Sequence, residues 1–268
     1  EYPSVCRCED KNLSNTQIML VTLLTDFGDF YPGVMKGVIL SLVPDAKIVD
    51  ITHSIEPQNV FQGAFLLYHS YKFFGSAIHV AVVDPGVGGK RRAIVVETKH
   101  NYFVAPDNGL VYPSAKEDGI VRIFEIDSKI SEIVGELSTT FHGRDIFAPA
   151  TALLLKKDFR YFREIDEIKT LDIFEHSVAG NRVCGKVAFV DRFGNVVTNI
   201  PASAVMGAKG FILRGVEFPM VKCYEDVDIG KPLALIGSFG TLELSLREGN
   251  ASEFLKIRKG EIELEVLR

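Results

Sequence analysis

Tryptophan is absent from this chain, and cysteine, excess basic charge and long apolar runs are all scarce. The four cysteines, Cys6, Cys8, Cys184 and Cys223, are too irregularly placed for a disulfide framework. Cys6-Arg7-Cys8 also lacks the two-residue gap of a zinc knuckle. All four are therefore expected as free thiols in a reducing cytoplasm. The formal net charge is −5, and the densest basic run is only Lys90-Arg91-Arg92, so there is no electrostatic footprint for nucleic acid. The longest apolar runs, such as Ala148 to Leu155 and Ile78 to Val83, fall well short of the roughly 20 residues of a membrane span. Residues 1–18 lack the basic start and apolar stretch of a signal peptide. They are read as an extension outside the fold, with Met19 at or near the natural start.

What is present is a globular composition, 47% hydrophobic and 24% charged over 268 residues, enough for two domains with substantial cores. Residues 19–178 alternate β-type runs (Leu20 to Thr25, Lys47 to Ile51, Ile78 to Val83, Ala93 to Glu97, Tyr102 to Ala105) with helical patterns (Pro32 to Leu42, Pro57 to Phe74, Asp145 to Lys157). That alternation predicts an N-terminal α/β domain with a mostly parallel sheet. Pro32 and Pro57 fit the first turn of a helix. After a polar boundary between Glu175 and Arg182 the texture becomes short alternating strands separated by Gly-containing turns. Residues 182–268 therefore read as a small C-terminal β-barrel domain.

Acidic loop motifs follow several of the apolar runs: Asp26-Phe27-Gly28, Asp84-Pro85-Gly86-Val87-Gly88-Gly89, Asp107-Asn108-Gly109 and Asp191-Arg192-Phe193-Gly194-Asn195. A carboxylate at the carboxyl end of a buried strand, followed at once by Gly or Pro, is where open α/β sheets hold ligands. Asp26 suits a vicinal diol, and it equally suits an Asx-turn before the first helix. Asp84 and Arg91 bracket a tight turn, which serves either a ligand site or an ion pair across a loop. The turn is no P-loop, because the Gly-Lys-Ser/Thr ending is missing. His142 directly precedes a helical run, where the positive end of the dipole favours neutral imidazole, and Asp145 could cap the same helix. Asp191 to Asn195 is also readable as a plain hairpin turn, and the remaining histidines as structural.

Taken together and in order, Thr25-Asp26-Phe27-Gly28, Asp84 to Gly88 with Arg91, Ala105 to Gly109, Phe141 to Asp145, Asp191 to Asn199 and Gly249-Asn250-Ala251 resemble the S-adenosyl-L-methionine hydroxide adenosyltransferases, relatives of the bacterial fluorinase and chlorinase. The resemblance runs from Leu20 to the C-terminus. It implies a homotrimer with each ligand between one subunit's first domain and a neighbour's second, and hydrolysis of S-adenosyl-L-methionine to adenosine and L-methionine without cofactor or metal. By the same resemblance Asp84, Arg91 and His142 activate water, and Asp26 holds the ribose hydroxyls. Asp191, Asn195 and Ser238 contact the methionine part, and Asn250 and Ala251 read adenine. Two departures favour water over halide as nucleophile. Gly143 stands where the halogenating relatives carry a halide-contacting serine, and their extra loop is missing between Asp84 and Asp107. The rival readings are a non-catalytic nucleoside sensor and a metal-dependent nucleoside hydrolase; the second wants clustered carboxylates, which are dispersed here.

Overall fold

The computed structural model describes residues 20–135 and 137–268; the expectations for residues 1–18, Met19, Cys6 and Cys8 lie outside them. The first domain contains β1 (Leu20–Thr25), α1 (Phe30–Leu42), β2 (Lys47–Thr52), α2 (Val60–Ser70), β3 (Ala77–Val82), β4 (Ala93–Thr98), β5 (Tyr102–Pro106), α3 (Tyr112–Asp118), β6 (Ile120–Ile126), α4 (Ala148–Leu155) and β7 (Phe162–Ile165). Its sheet has the order β2-β1-β3-β5-β4-β6-β7. The β2-β1-β3-β5 half is parallel, and the β5-β4-β6-β7 half is antiparallel. The sheet is thus mixed rather than mostly parallel. The reason is local: only residues 99–101 separate β4 from β5, a gap that permits a hairpin and no crossover.

Strand alternation places Val21, Leu23, Ile78, Val80, Val95 and Val104 on one face, under Met35 and Ile39 of α1 and Leu153 of α4. Leu24, Ala81, Ile94, Val96 and Phe103 face the other way, under Ala64, Phe65 and Leu67 of α2 and Ala115 of α3. Both faces being covered explains why these strands read as continuous apolar runs. The helix at Pro32 begins two residues earlier than its proline, at Phe30, and keeps Pro32 in the first turn, where its missing N–H costs nothing. The start expected at Pro57 is overturned. Gln58 takes a left-handed φ of 67°, so the helix opens only after Asn59, whose side-chain oxygen accepts the Gln62 N–H at 3.0 Å. The expected helix from Asp145 is a wide single turn, Gly143–Phe147, that runs into α4.

The second domain comprises β8 (Ser177–Ala179), β9 (Arg182–Val190), β10 (Val196–Pro201), β11 (Gly210–Leu213), β12 (Val216–Pro219), β13 (Pro232–Ile236), β14 (Thr241–Leu246), α5 (Ala251–Leu255) and β15 (Gly260–Leu267). Its antiparallel sheet runs β12-β11-β15-β9-β10-β14-β13, with β8 hydrogen-bonded to β9. The two edges approach each other through the Met220–Ala234 bridge, so the sheet is a nearly closed barrel. Closure removes exposed edges. Phe189 and Phe239 of the barrel pack on Phe65 of α2, with ring centroids 6.3 and 5.7 Å away. Among the described residues no helix is long and apolar enough to cross a membrane. Cys184 and Cys223 are free thiols.

Burial keeps His79 neutral. His79 accepts or donates one bond to Thr22 Oγ1 at 2.8 Å, stacks on Phe103, and its pKa is pushed down to about 4 by burial. Below pH 6.5 the unfolded chain therefore binds a proton that the folded chain refuses. Stability should fall as pH drops from about 6.5 to about 4, by on the order of 3 kcal/mol for His79 alone, and level off below that. Urea unfolding of the parent across that range should show this slope, and His79→Phe should flatten it by about one proton.

Candidate active site

Asp84 and Arg91 sit at the two ends of the loop between β3 and β4, and His142 opens the turn that leads into α4. Arg91 Nε donates to Asp84 Oδ2 at 2.8 Å, and Arg91 Nη2 donates to the same oxygen. Nη2 also lies 2.7 Å from His142 Nδ1. A guanidinium has no acceptor, so His142 Nδ1 must accept, and the proton of the neutral imidazole sits on Nε2. Arg91 and Asp84 side chains are 8% and 4% exposed, so the pair is effectively desolvated. Asp84 Oδ1 accepts the Gly86 N–H at 3.2 Å, and the Phe147 ring lies 5.4 Å from the Arg91 guanidinium. The ion pair is thereby packed and hydrogen-bonded on its remaining sides, which a buried pair requires. Burial first, and then the Arg91 charge, hold the His142 pKa below 6.5 against the opposing pull of Asp84, Asp145 and the Ser138 main chain. A cleft of ≈ 510 Å³ opens over this cluster, lined by Gly88, Gly89, Arg91, Ser138, Thr139 and His142.

Asp26 lies at the same edge of the sheet, because Thr25 pairs with Val82 in parallel register. Its Oδ2 accepts the N–H of left-handed Gln58 at 2.7 Å. A non-glycine residue held at positive φ costs free energy and marks over-determined backbone. Phe27, Tyr31 and Phe141 form a wall beside it, with ring centroids 4.9 to 6.2 Å apart. Asp145 does not cap the helix; it is fully buried, pairs with Arg144 and accepts the Ser138 N–H at 2.8 Å. The lone His53 proves structural, 2.9 Å from Thr25 Oγ1 through Nδ1 and 3.1 Å from Asp50 through Nε2, which steadies the Asp26 loop.

The remaining residues singled out in the sequence gather in the barrel. Asp191 Oδ1 accepts the Phe193 and Asn195 N–H groups, and Oδ2 accepts Asn195 Nδ2, each at 2.9 Å. The turn reading of that motif is thus realised, with Oδ2 keeping a lone pair. Asn250 caps α5 by accepting the Glu253 N–H at 2.9 Å, and Ala251 is the buried first residue of α5. Gly194 (φ 86°) lies so close to Asn250 that a Cβ there would come within 2.2 Å of the amide. Ser238 sits on the β13–β14 turn. A second cleft of ≈ 660 Å³ is lined by Asp191, Phe193, Asn195, Tyr224 and Gly249, and shares no lining residue with the first. Sequence reasoning missed Glu243 and Tyr224. Glu243 is buried and accepts from Tyr224 Oη at 2.6 Å and Ser245 Oγ at 2.8 Å. The signal for Glu243 was the polar set Thr241, Glu243 and Ser245 alternating with leucines inside a barrel strand. Among the described residues no group of three His, Cys, Asp or Glu side chains is placed to hold a metal.

With this geometry in view, residues 21–162 match the model of the SAM hydroxide adenosyltransferase N-terminal domain, and residues 185–262 that of the C-terminal domain. The chain belongs to the SAM hydroxide adenosyltransferase family. It is similar to an (R)-S-adenosyl-L-methionine hydrolase from Methanocaldococcus jannaschii, 37% identical over 256 residues covering 89% of this chain and 92% of the relative. A second, from Thermus thermophilus, is 33% identical over 90% of this chain and 96% of its own length. A fluorinase from an Actinoplanes species is more distant, 26% identical over 84% of this chain and 90% of its own. The crystal structure of an uncharacterized conserved protein from Thermotoga maritima superposes with a TM-score of 0.81 at 38% identity, covering 93% of this chain and all of the other.

Family membership sharpens the meaning of Gly143. A Cβ at that position would lie 2.9 Å from Phe141 Cε2, 3.0 Å from Met35 Sδ and 3.2 Å from Phe27 Cε2. A serine there has no room unless that aromatic wall moves. Gly143→Ser should therefore cost about 1–3 kcal/mol of stability in thermal or urea unfolding. It should also lower turnover without making chloride a nucleophile, which product chromatography with and without chloride would read.

Proposed function

We propose that this protein hydrolyses S-adenosyl-L-methionine, with water attacking C5′ of the ribose to give adenosine, L-methionine and a proton. The observation that carries the reading is the buried Asp84–Arg91–His142 chain, whose Arg91 and His142 line the first cleft, on a fold whose relatives at 31–37% identity are named (R)-S-adenosyl-L-methionine hydrolases. The sulfonium makes C5′ electrophilic and leaves as a neutral thioether, so the reaction needs no metal or cofactor to stabilise the leaving group. What it needs is one water held in line, and positioning of that kind lowers barriers substantially.

The hydrogen-bond directions support a division of roles in this reading. His142 Nδ1 is occupied by Arg91, which leaves its Nε2–H as a donor and not a base. Arg91 supplies positive charge that favours hydroxide character. Asp84 is the one member of the three with acceptor capacity to spare, and it takes the proton as the C5′–O bond forms and the C5′–S bond breaks. Asp26 holds the ribose hydroxyls. Asp191, Asn195 and Ser238 take the methionine part, and Asn250 and Ala251 the adenine.

Arg91 and His142 line one cleft of the chain, Asp191 and Asn195 line a separate one, and the second carries the exposed Phe193, 77% accessible. A second copy of the chain completes the site in this reading, and the assembly is a cytoplasmic homotrimer.

Incubation with S-adenosyl-L-methionine should yield adenosine and methionine, unchanged by EDTA or by excess chloride. A halogenated adenosine, or tight binding without product, would overturn the reading. Arg91→Ala and His142→Ala should each lower kcat/KM by about 10²–10³-fold, in the range of a lost acid–base or positioning group. Since the imidazole must be neutral to accept from Arg91, the acid limb of kcat/KM should fall below pH 6.5, and activity should be retained at pH 6.5.

A further inference from the structure

We propose that Asp107 and Asn108 are positioning residues that hold both stems of the Asp84–Arg91 loop, and that Asp107 ties this loop to the segment entering the second domain. The activity readout rests on the hydrolase reading above. In the sheet order β3-β5-β4, the loop leaves β3 and enters β4, so it must pass over the carboxyl end of β5. Asp107 and Asn108 are the first two residues beyond β5 and rise directly beneath it.

Asn108 Nδ2 donates to the carbonyl of Val83, the residue before Asp84, at 2.8 Å. On the other stem, the Asp107 N–H donates to the Arg92 carbonyl at 2.9 Å. Asp107 Oδ2 accepts from Arg92 Nε at 2.8 Å and Nη2 at 2.6 Å. The residues flanking Asp84 and Arg91 are thus fixed by two adjacent side chains that do not themselves touch the cluster. The second carboxylate oxygen faces the other way: Asp107 Oδ1 accepts the Lys169 N–H at 2.7 Å, and Arg92 Nη2 reaches the Glu167 carbonyl at 3.0 Å. Asp107 is 2% exposed, so these bonds form without competing water. Gly109 (φ 95°) completes the seat, because a Cβ there would meet Leu171 Cβ at 2.8 Å. The acidic motif that reads in sequence like a ligand contact acts instead through the loop it supports.

The test compares Asn108→Asp, which keeps the shape but replaces the donor amide with acceptors, with Asn108→Ala and Asp107→Asn. Asn108→Ala carries the test if the charged variant fails to fold. Each folded variant should lose about 10–100-fold in kcat, the scale of a misplaced reacting group, with KM within about 3-fold of the parent. Amide exchange should quicken at residues 84–92 in both Asn108 variants, and at both 84–92 and 166–170 in Asp107→Asn. Folded variants with parental kcat and parental exchange would overturn the proposal. A parent that forms no adenosine would overturn the hydrolase reading alone, and the exchange measurement would then decide the positioning proposal by itself.

Discussion

The guanidinium of Arg91, shared between the Asp84 carboxylate and His142 Nδ1, is the constraint on which the first domain turns. Its partners arrive from a strand end and from a helix start 51 residues away. Taking the pair out of water is costly, and removing either partner leaves a buried charge uncompensated. The surrounding structure meets that cost with the Gly86 N–H on the free carboxylate oxygen and the Phe147 ring against the guanidinium. The same desolvation that makes the cluster expensive keeps His142 neutral, so burial sets the protonation state that the hydrogen-bond pattern requires.

The segment between the domains is fastened on both sides. Asp107 and Arg92 grip Glu167 and Lys169, while buried Asn199 donates to the Ile173 and Glu175 carbonyls at 3.1 and 2.9 Å. Between these clamps, Phe65, Phe189 and Phe239 form an aromatic contact of helix with barrel. Two clefts on one chain are thereby held in a fixed relation.

Much of the fold was legible because both faces of the first sheet are covered: the runs at Leu20, Ile78, Ala93 and Tyr102 stand out as buried strands, and they form within a residue or two of their expected bounds. What escaped did so for specific reasons. Tyr112–Asp118 is a seven-residue helix with too few turns to show a period, and Ala251–Leu255 is shorter still, although Asn250 and Glu253 carried its capping signal. Pro57 looked like a helix start, but the Asp26 carboxylate draws the Gln58 N–H across 32 residues and delays the helix to Val60. The three-residue gap between β4 and β5 was a readable sign of antiparallel pairing that the β/α alternation obscured.

The sequence by itself determined which chemical groups stand at strand ends: the carboxylates at Asp26, Asp84, Asp107 and Asp191, each followed by turn-forming glycine or proline, and a histidine poised before a helix. Periodicity, caps and turns act over a few residues, so those placements are local and readable. Only the tertiary structure decided what each group faces. It joined Asp84 and Arg91 to His142, closed Asp191 onto its own loop, and turned Asp107 from an apparent ligand contact into a brace beneath the loop. Those outcomes depend on strand order and on hydrogen bonds across many residues, which no local pattern encodes.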